Sequence, residues 1–159
     1  MRRLFLALVL AFATLVAASC GGGHENKPLS KSEYEAQLGA ILRPLQEKTL
    51  RAVIMTSPAD AEKAVRRIKS AETALHDDAA KLADMKPPAD AAAPTAQIAR
   101  GIEQIADRLT AARKDAERGN FGRLEQFKSR ITVDPAVARV RAAIVQLINL
   151  GYNVVGNAP

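Results

Sequence analysis

Residues 98–112 read IARGIEQIADRLTAA, and this stretch decides the fold class of the 159-residue chain. Its larger apolar side chains recur at steps of three and four residues, which is the spacing of one helical face. These side chains are Ile98, Ile102, Ile105, Leu109 and Ala112. Charged and amide side chains occupy the other face. The stretch therefore predicts an amphipathic helix whose apolar side packs against other helices.

The chain before this stretch predicts two more helices. The first begins at Ser30, because Ser30-Lys31-Ser32-Glu33 has the spacing of a capping box. Pro44 should bend this helix without ending it, because the apolar register continues beyond it. Its apolar positions are Tyr34, Leu38, Ile41, Leu42, Leu45, Thr49 and Val53. The second helix is predicted to start at a Ser57 cap followed by Pro58 and to run to about Asp84. Its inward positions are Ala61, Ala64, Val65, Ile68, Ala71, Leu75, Ala79 and Leu82.

The helix that contains residues 98–112 should start near Pro88 or after Pro94 and end at Gly119. A short segment follows it, with apolar positions at Phe121, Leu124, Phe127 and Ile131. Asp134-Pro135 then predicts the start of a last helix. The apolar stripe of that helix is Val137, Val140, Ile144, Leu147 and Ile148, and Gly151 ends it.

The lengths of these segments predict the architecture. Segments 31–57, 58–84, 89–118 and 121–150 are each about 40–45 Å long as helices. Matched lengths joined by short turns favour an all-α, antiparallel up-and-down four-helix bundle, with the last helix broken near 132–134. The 31 alanines, two tyrosines and lack of tryptophan agree with close-packed helices. The bundle domain should span 30–151, and the sequence leaves open whether the tail 152–159 packs on it.

The first nineteen residues have the pattern of an export signal. Met1-Arg2-Arg3 is positively charged, and the apolar run that follows extends from Leu4 to Ala18. As a helix this run reaches about 22 Å, which is shorter than the ~30 Å hydrocarbon core of a bilayer. A cleaved signal peptide over 1–19 is therefore favoured over a transmembrane anchor. General and twin-arginine export both remain open.

A processing site follows the apolar run. Ala18 and Ser19 are small residues that precede Cys20, the one cysteine in the chain, and three glycines come after it. This arrangement resembles the bacterial lipobox, although Ala17 stands where leucine is usual. The resemblance implies cleavage between Ser19 and Cys20 and a diacylglyceryl group on the cysteine sulfur.

Ordinary secretory cleavage would cut the same bond and leave an unpaired thiol, for which lipidation supplies a reason. We therefore expect residues 20–29 to be the lipidated cysteine and a flexible tether. The protein would then be attached through Cys20 to the extracytoplasmic face of the bacterial cell membrane.

The remainder of the chain resembles small all-helical lipoproteins of unknown function from high-GC Gram-positive bacteria. The resemblance lies in the opening of the first helix, residues 29–34, and in the Pro87-Pro88 step. Those proteins often carry a cysteine in the first helix, where this chain has Ile41-Leu42. The likeness implies a fold and a location, and it implies no activity.

Residues with catalytic or metal-binding potential are sparse. The sequence contains no Gly-x-Ser-x-Gly elbow and no phosphate-binding loop, so we expect no enzyme and no cofactor. The sequence His76-Asp77-Asp78 is the one local cluster of metal-ligand types, but consecutive helical residues point about 100° apart. Glu72 lies one turn before His76 and can share its face, which gives two ligands at most. We therefore interpret this cluster as an exposed polar turn and predict no metal site.

Positive charge is concentrated late in the chain. Residues 100–159 hold ten positive and six negative side chains, whereas residues 20–99 hold eleven of each. The ten are Arg100, Arg108, Arg113, Lys114, Arg118, Arg123, Lys128, Arg130, Arg139 and Arg141. They form either a solvated face paired with Glu103, Asp107 and Glu117, or a basic face that weakly contacts anionic lipid or wall polymer.

Charge and composition also bear on function. The net charge of +6 falls to +4 without Arg2 and Arg3, which is too modest to indicate nucleic-acid binding. The sequence favours a non-enzymatic helical module of the cell envelope that has an interaction or structural role. The alternative is a bundle that binds a lipid or a small apolar ligand in space left by its alanines. The sequence identifies no protein partner.

Overall fold

The computed structural model describes residues 27–45 and 59–154, and within these ranges every regular element is helical. The elements are α1 (Lys31–Pro44), α2 (Ala61–Asp84), α3 (Ala92–Ala116), α4 (Gly122–Arg130), a 3₁₀ turn (Ile131–Val133) and α5 (Pro135–Asn149). They pack as a four-helix bundle in which α4, the 3₁₀ turn and α5 together make the fourth member. The predicted fold class is therefore confirmed, including the break of the last helix near 132–134.

Hydrogen bonds between the ends of different helices show that the helices alternate in direction. The backbone N–H of Leu29, just before α1, donates to the carbonyl of Lys86, just after α2, at 2.8 Å. The hydroxyl of Tyr152, just after α5, donates to Asp90, just before α3, at 2.6 Å. The starts of α1 and α3 thus lie beside the ends of α2 and α5. We call this the tether end, because Leu29 leads back to the predicted tether.

Two predicted helix starts are confirmed by their caps. The Ser30 hydroxyl accepts from the backbone N–H of Glu33, and the Glu33 carboxylate accepts from the Ser30 N–H at 2.9 Å, which completes the capping box. At α5 the Asp134 carboxylate accepts from the N–H of Ala136 at 2.7 Å, and Pro135 is the first helical residue. Both starts depend on contacts within three residues, so local sequence is enough to place them.

The predicted start of the second helix is wrong. The helix begins at Ala61, and Asp60 is its N-cap, with a side-chain oxygen that accepts from the N–H of Lys63 at 3.0 Å. Aspartate caps as well as serine does, so the acid expected in the first turn takes the capping role instead of Ser57. Residues 46–58, which include the predicted continuation of the first helix past Pro44, lie outside the described residues.

The third helix starts between the two predicted positions. It begins at Ala92, so Pro94 is its third residue. The N–H groups of a first turn have no partner within the helix, and a proline there therefore removes no hydrogen bond. Beyond the helix, Gly119 adopts a φ of 79°, which confirms the predicted glycine at its end.

The predicted apolar faces form the core. All five positions named for residues 98–112 are buried, and six of the eight inward positions of α2 are buried as well. Val65 is half-buried, and Ala61 is exposed because it is the first residue after the cap. One small residue, Gly101, lies where α3 and α5 approach closely. A side-chain carbon on Gly101 would collide with Val140 of α5 and lie 3.1 Å from the Ala136 carbonyl.

The apolar stripe of α5 differs from the prediction at one position. Leu147 is buried and Val140 packs against the core, but Ile148 is 46% exposed. The buried stripe runs through Ala136 and Ala143, and Ile148 lies about 100° around the helix from Leu147. The prediction was wrong because alanines, not the larger Ile148, face the neighbouring helix.

The C-terminal segment packs on the bundle as far as it is described. Tyr152 and Val154 are 6% and 5% exposed, so the core extends beyond the predicted domain end at residue 151. Within residues 27–45 and 59–154, no helix combines the length and apolar character needed to cross a membrane.

Candidate functional sites

The predicted cleavage and lipid-attachment residues, Ser19 and Cys20, lie outside the described residues. Their assignment stays a prediction from the sequence. The structure does describe where the chain enters the bundle. Leu29 is half-buried against the core and is hydrogen-bonded to Lys86, so the direction of entry is fixed at the tether end.

Four residues at the tether end form a group that we call the aromatic clasp: Tyr34, Asp90, Thr95 and Tyr152. The Tyr34 hydroxyl lies 2.7 Å from the Thr95 hydroxyl, which itself donates to the Ala91 carbonyl at 2.7 Å. Because threonine has one hydroxyl hydrogen, Tyr34 is the donor to Thr95. The two tyrosine rings meet edge to face, with centroids 5.2 Å apart and planes at 82°.

Tyr152 attaches the C-terminal segment to the clasp. Burial, together with the hydrogen bond to Asp90, raises the pKa of Tyr152 to about 12. The Lys31 ammonium lies 5.3 Å from the centroid of the Tyr152 ring, which is within cation–π range. The next residue, Asn153, donates its N–H to Glu35 at 2.8 Å. These contacts hold the segment against α1 and the start of α3.

The weak metal-ligand candidates Glu72 and His76 have different partners. The Glu72 carboxylate accepts from Arg113 of α3 at 2.6 Å. Burial acts to raise the pKa of Glu72, but hydrogen bonds from Arg113 and Thr110 hold it below its ordinary value. Glu72 is therefore committed to an ion pair, and the structure does not form the two-ligand arrangement that the helix spacing allowed.

His76 instead faces two carboxylates of α3. Its Nδ1 atom lies 3.1 Å from an oxygen of Glu103, and Asp107 completes a group whose three ligand atoms lie within 4.8 Å of one another. Sequence reasoning missed this cluster because 27 residues separate His76 from Glu103. The available signal was the spacing of Glu103 and Asp107, which puts both carboxylates on one face of α3.

Four of the eight late arginines pair with carboxylates in the described part of the chain. Arg113 bonds to Glu117 at 2.6 Å, as the solvated-face interpretation predicted. The other two predicted partners behave differently: Glu103 faces His76, and among the described residues Asp107 has no lysine or arginine within 4.0 Å. The remaining ion pairs of this region are Arg108–Asp134, Arg118–Asp115, Arg123–Asp115 and Lys128–Glu125.

A groove of about 770 Å³ gathers three of these arginines far from the tether end. We call it the distal groove; its lining residues are Arg108, Ala111, Arg123, Gln126, Phe127, Arg130, Val133, Asp134 and Pro135. Arg108 lies ~20 Å along α3 from Thr95 of the clasp. Val133, at the 3₁₀ turn, is 75% exposed. The groove therefore offers three guanidinium groups, one carboxylate and some apolar surface.

A second groove, of about 490 Å³, lies along α1 near the tether end. Its lining includes Glu35, Gly39, Arg43 and Asn153, all of them outside the buried core. Phe127, which belongs to the buried core, is part of the lining of the distal groove. Scans of protein-family profiles, of curated proteins and of solved structures find no match to this chain.

Proposed function

We propose that the protein is a lipoprotein held by Cys20 on the extracytoplasmic face of the bacterial cell membrane. Its helical bundle would be a non-enzymatic interaction or structural module of the envelope. The lipobox resemblance around Ser19 and Cys20 supports the anchor. The role of the bundle is supported by the separation of its two ends. The chain enters the bundle at the tether end, and the distal groove lies at the opposite end.

The geometry supports an outward orientation for the distal groove. From Cys20 to Ser30 a flexible tether would span ~17 Å on average. The groove would then lie ~20 Å farther out along the bundle axis. Electrostatic attraction to a charged membrane surface is screened over a Debye length of about 8 Å. An upright bundle would therefore carry the groove beyond the field of the lipid headgroups.

This orientation favours an anionic wall polymer over anionic lipid as the partner of the basic face. Arginine presents a planar set of donors that matches phosphate and carboxylate oxygens. The lining of the distal groove contains three arginines and a single carboxylate, that of Asp134. The contact would be weak, because Arg108 and Arg123 already have carboxylate partners.

The alternative function, binding of a lipid or small apolar ligand inside the bundle, ranks second. This hypothesis rests on the many small side chains, because they leave a cavity between helices wherever larger side chains do not fill the space. Around Gly101 the small residues instead allow α3 and α5 to approach, and a single added carbon would collide with Val140. Small residues used in this way leave no room for a ligand between the two helices.

The anchor is tested by replacing Cys20 with alanine in the producing bacterium. The variant should leave the membrane fraction for the medium, or remain unprocessed, because the sulfur that carries the lipid is gone. Ser19→Ala is the matched control, since it keeps a small residue before the cysteine, and it should stay in the membrane. A Cys20→Ala protein that is processed and still fractionates with membranes would refute the anchor.

The partner of the distal groove is tested by co-sedimentation of the protein with purified cell-wall material and with anionic vesicles. Binding to wall material should exceed binding to vesicles, weaken with salt, and fall several-fold in Arg123→Gln and Arg130→Gln. Arg66→Gln is the matched control, because Arg66 is an exposed arginine on α2 outside the groove. Stronger binding to vesicles, or equal losses in all three variants, would exclude the wall-polymer assignment.

A further inference from the structure

Two rigid elements bring three metal-ligand side chains together on the surface of the bundle. His76 projects from α2, and Glu103 and Asp107 project from α3. The His76 Nδ1 atom lies 3.1 Å from a Glu103 oxygen, and the three ligand atoms lie within 4.8 Å of one another. Because each residue lies within a long helix that packs on its neighbour, the arrangement is held by the core and does not depend on a loop.

The two acids of this cluster form no ion pair with lysine or arginine among the described residues. Glu103 and Asp107 are one helical turn apart, and like charges at that spacing destabilise a helix. In the described part of the chain, neither carboxylate has a lysine or arginine within 4.0 Å. The neighbouring acid Glu72 differs, because Arg113 of α3 bonds to it at 2.6 Å. The same helix pair therefore neutralises one acid with arginine and leaves two acids beside an imidazole.

We propose that His76, Glu103 and Asp107 bind a divalent transition-metal ion, with zinc as the best-matched ion. Imidazole nitrogen and carboxylate oxygen are both zinc ligands, with bonds of about 2.0–2.2 Å. Such bonds in a tetrahedron put two ligand atoms about 3.3 Å apart. The observed 3.1 Å between His76 Nδ1 and the Glu103 oxygen is close to that edge, and Asp107 offers an oxygen within 4.8 Å of both atoms.

The chemistry of the ligands separates zinc from calcium and magnesium. Those ions prefer oxygen ligands, and the imidazole of His76 favours zinc or a neighbouring transition metal. Three protein ligands leave the fourth position of zinc to water. The His76 and Glu103 side chains are 37% and 49% exposed, so an ion reaches the site directly from solvent. Binding joins α2 to α3 and neutralises the two carboxylates.

The test is calorimetric titration of zinc into the intact protein, purified in detergent without a histidine tag. One zinc ion should bind per chain and should raise the melting temperature. His76→Ala should weaken binding more than about 100-fold, because loss of even an outer partner of a ligand costs about 10- to 100-fold. Asp107→Asn should also weaken binding, and this exposed change keeps the proposal testable if His76→Ala unfolds.

Two control variants separate this site from its competitors. His24→Ala removes the other histidine of the chain and should leave zinc binding unchanged. Glu72→Gln should also leave it unchanged, because Glu72 is bonded to Arg113 and is not a ligand. The proposal is overturned if zinc does not bind, or if binding survives both His76→Ala and Asp107→Asn. It is also overturned if Glu72→Gln abolishes binding while Asp107→Asn preserves it.

Discussion

The two ends of the bundle are built from different interactions. At the tether end the aromatic clasp buries two tyrosines, and each tyrosine hydroxyl has a hydrogen-bond partner. At the distal end the groove is lined by arginines, and Val133 is 75% exposed. Among residues 27–45 and 59–154, the tether end is thus closed by buried contacts, whereas the distal groove is lined by charged side chains.

This difference between the ends suggests that the aromatic clasp stabilises the fold and that the distal groove is free to bind a partner. A buried polar group must be hydrogen-bonded, and no buried side-chain nitrogen or oxygen in the described residues lacks a partner. Loss of a clasp residue should therefore be costly. Exposed ion pairs such as Arg123–Asp115 each contribute less than about 1 kcal/mol, so the distal groove can change with little effect on the fold.

The largest effect is expected from truncation inside the clasp. Tyr34→Ala should lower the free energy of unfolding by about 3–5 kcal/mol, because it removes a fully buried aromatic ring and leaves a cavity. Urea denaturation followed by circular dichroism measures this loss. Val133→Ala at the distal end is the control and should stay within about 0.5 kcal/mol of the parent. If Tyr34→Ala and Val133→Ala lowered the free energy of unfolding by similar amounts, the two ends would not differ in their contribution to stability.

The next effect is expected at the helix cap beside the distal groove. Asp134→Ala should cost about 1–2 kcal/mol, because the N–H of Ala136 loses its side-chain acceptor. Asp134→Asn should cost less, since asparagine caps equally well and the change removes only the charge opposite Arg108. Thermal and urea unfolding of the pair measure the difference. Equal losses would mean that the ion pair, not the cap, stabilises this end.

Helix caps, such as the one at Asp134, show how much of the fold can be predicted from local sequence. Helix caps such as Ser30 and Asp134, and the apolar face of residues 98–112, depend on neighbours within a few residues, and they were predicted correctly. The start of α2 was wrong because Ser57 and Asp60 are both good caps. Local sequence offers no means of choosing between them.

The remaining features depend on pairings across the fold. The Tyr152–Asp90 and His76–Glu103 contacts join residues that are 62 and 27 positions apart. Helical periodicity orders side chains around one helix, but it does not determine which residue of another helix they face. The sequence therefore placed His76 beside Glu72 and left the C-terminal segment undecided. The incorrect prediction for Ile148 has the same cause, because packing against the neighbouring helices buries Ala136 and Ala143 of α5 and leaves Ile148 exposed.

A smaller effect is expected when one hydroxyl of the clasp is removed. Tyr152→Phe should cost about 1 kcal/mol near neutral pH, through loss of the hydrogen bond to Asp90. Burial and Asp90 raise the pKa of Tyr152 from 10.0 to about 12. Its contribution is therefore complete below pH 10 and is lost as the pH rises from 10 to about 12.

The pH dependence distinguishes the clasp from a general loss of packing. Unfolding measured from pH 9 to 12 should show a smaller decline in Tyr152→Phe than in the parent. Part of the decline should persist, because burial also raises the pKa of Tyr34. Parallel curves for the parent and the variant would show that the Tyr152 hydroxyl is not coupled to folding.

The smallest effect is expected from the arginines of the distal groove. Arg123→Gln should change the free energy of unfolding by less than about 0.5 kcal/mol, because the Arg123 side chain is 62% exposed and solvent screens its ion pair with Asp115. Urea denaturation measures the change. A loss above about 2 kcal/mol would assign the groove a structural role and would weaken its assignment as a binding surface.

The central claim is that the bundle is attached to the membrane through Cys20, with the clasp toward the membrane and the groove away from it. Mass spectrometry of the N-terminal peptide of the protein isolated from membranes tests the attachment most directly. We predict a peptide that begins at Cys20 and carries the mass of a diacylglyceryl group on the sulfur. A peptide that retains residues 1–19, or one that begins at Cys20 with a free thiol, would contradict the claim.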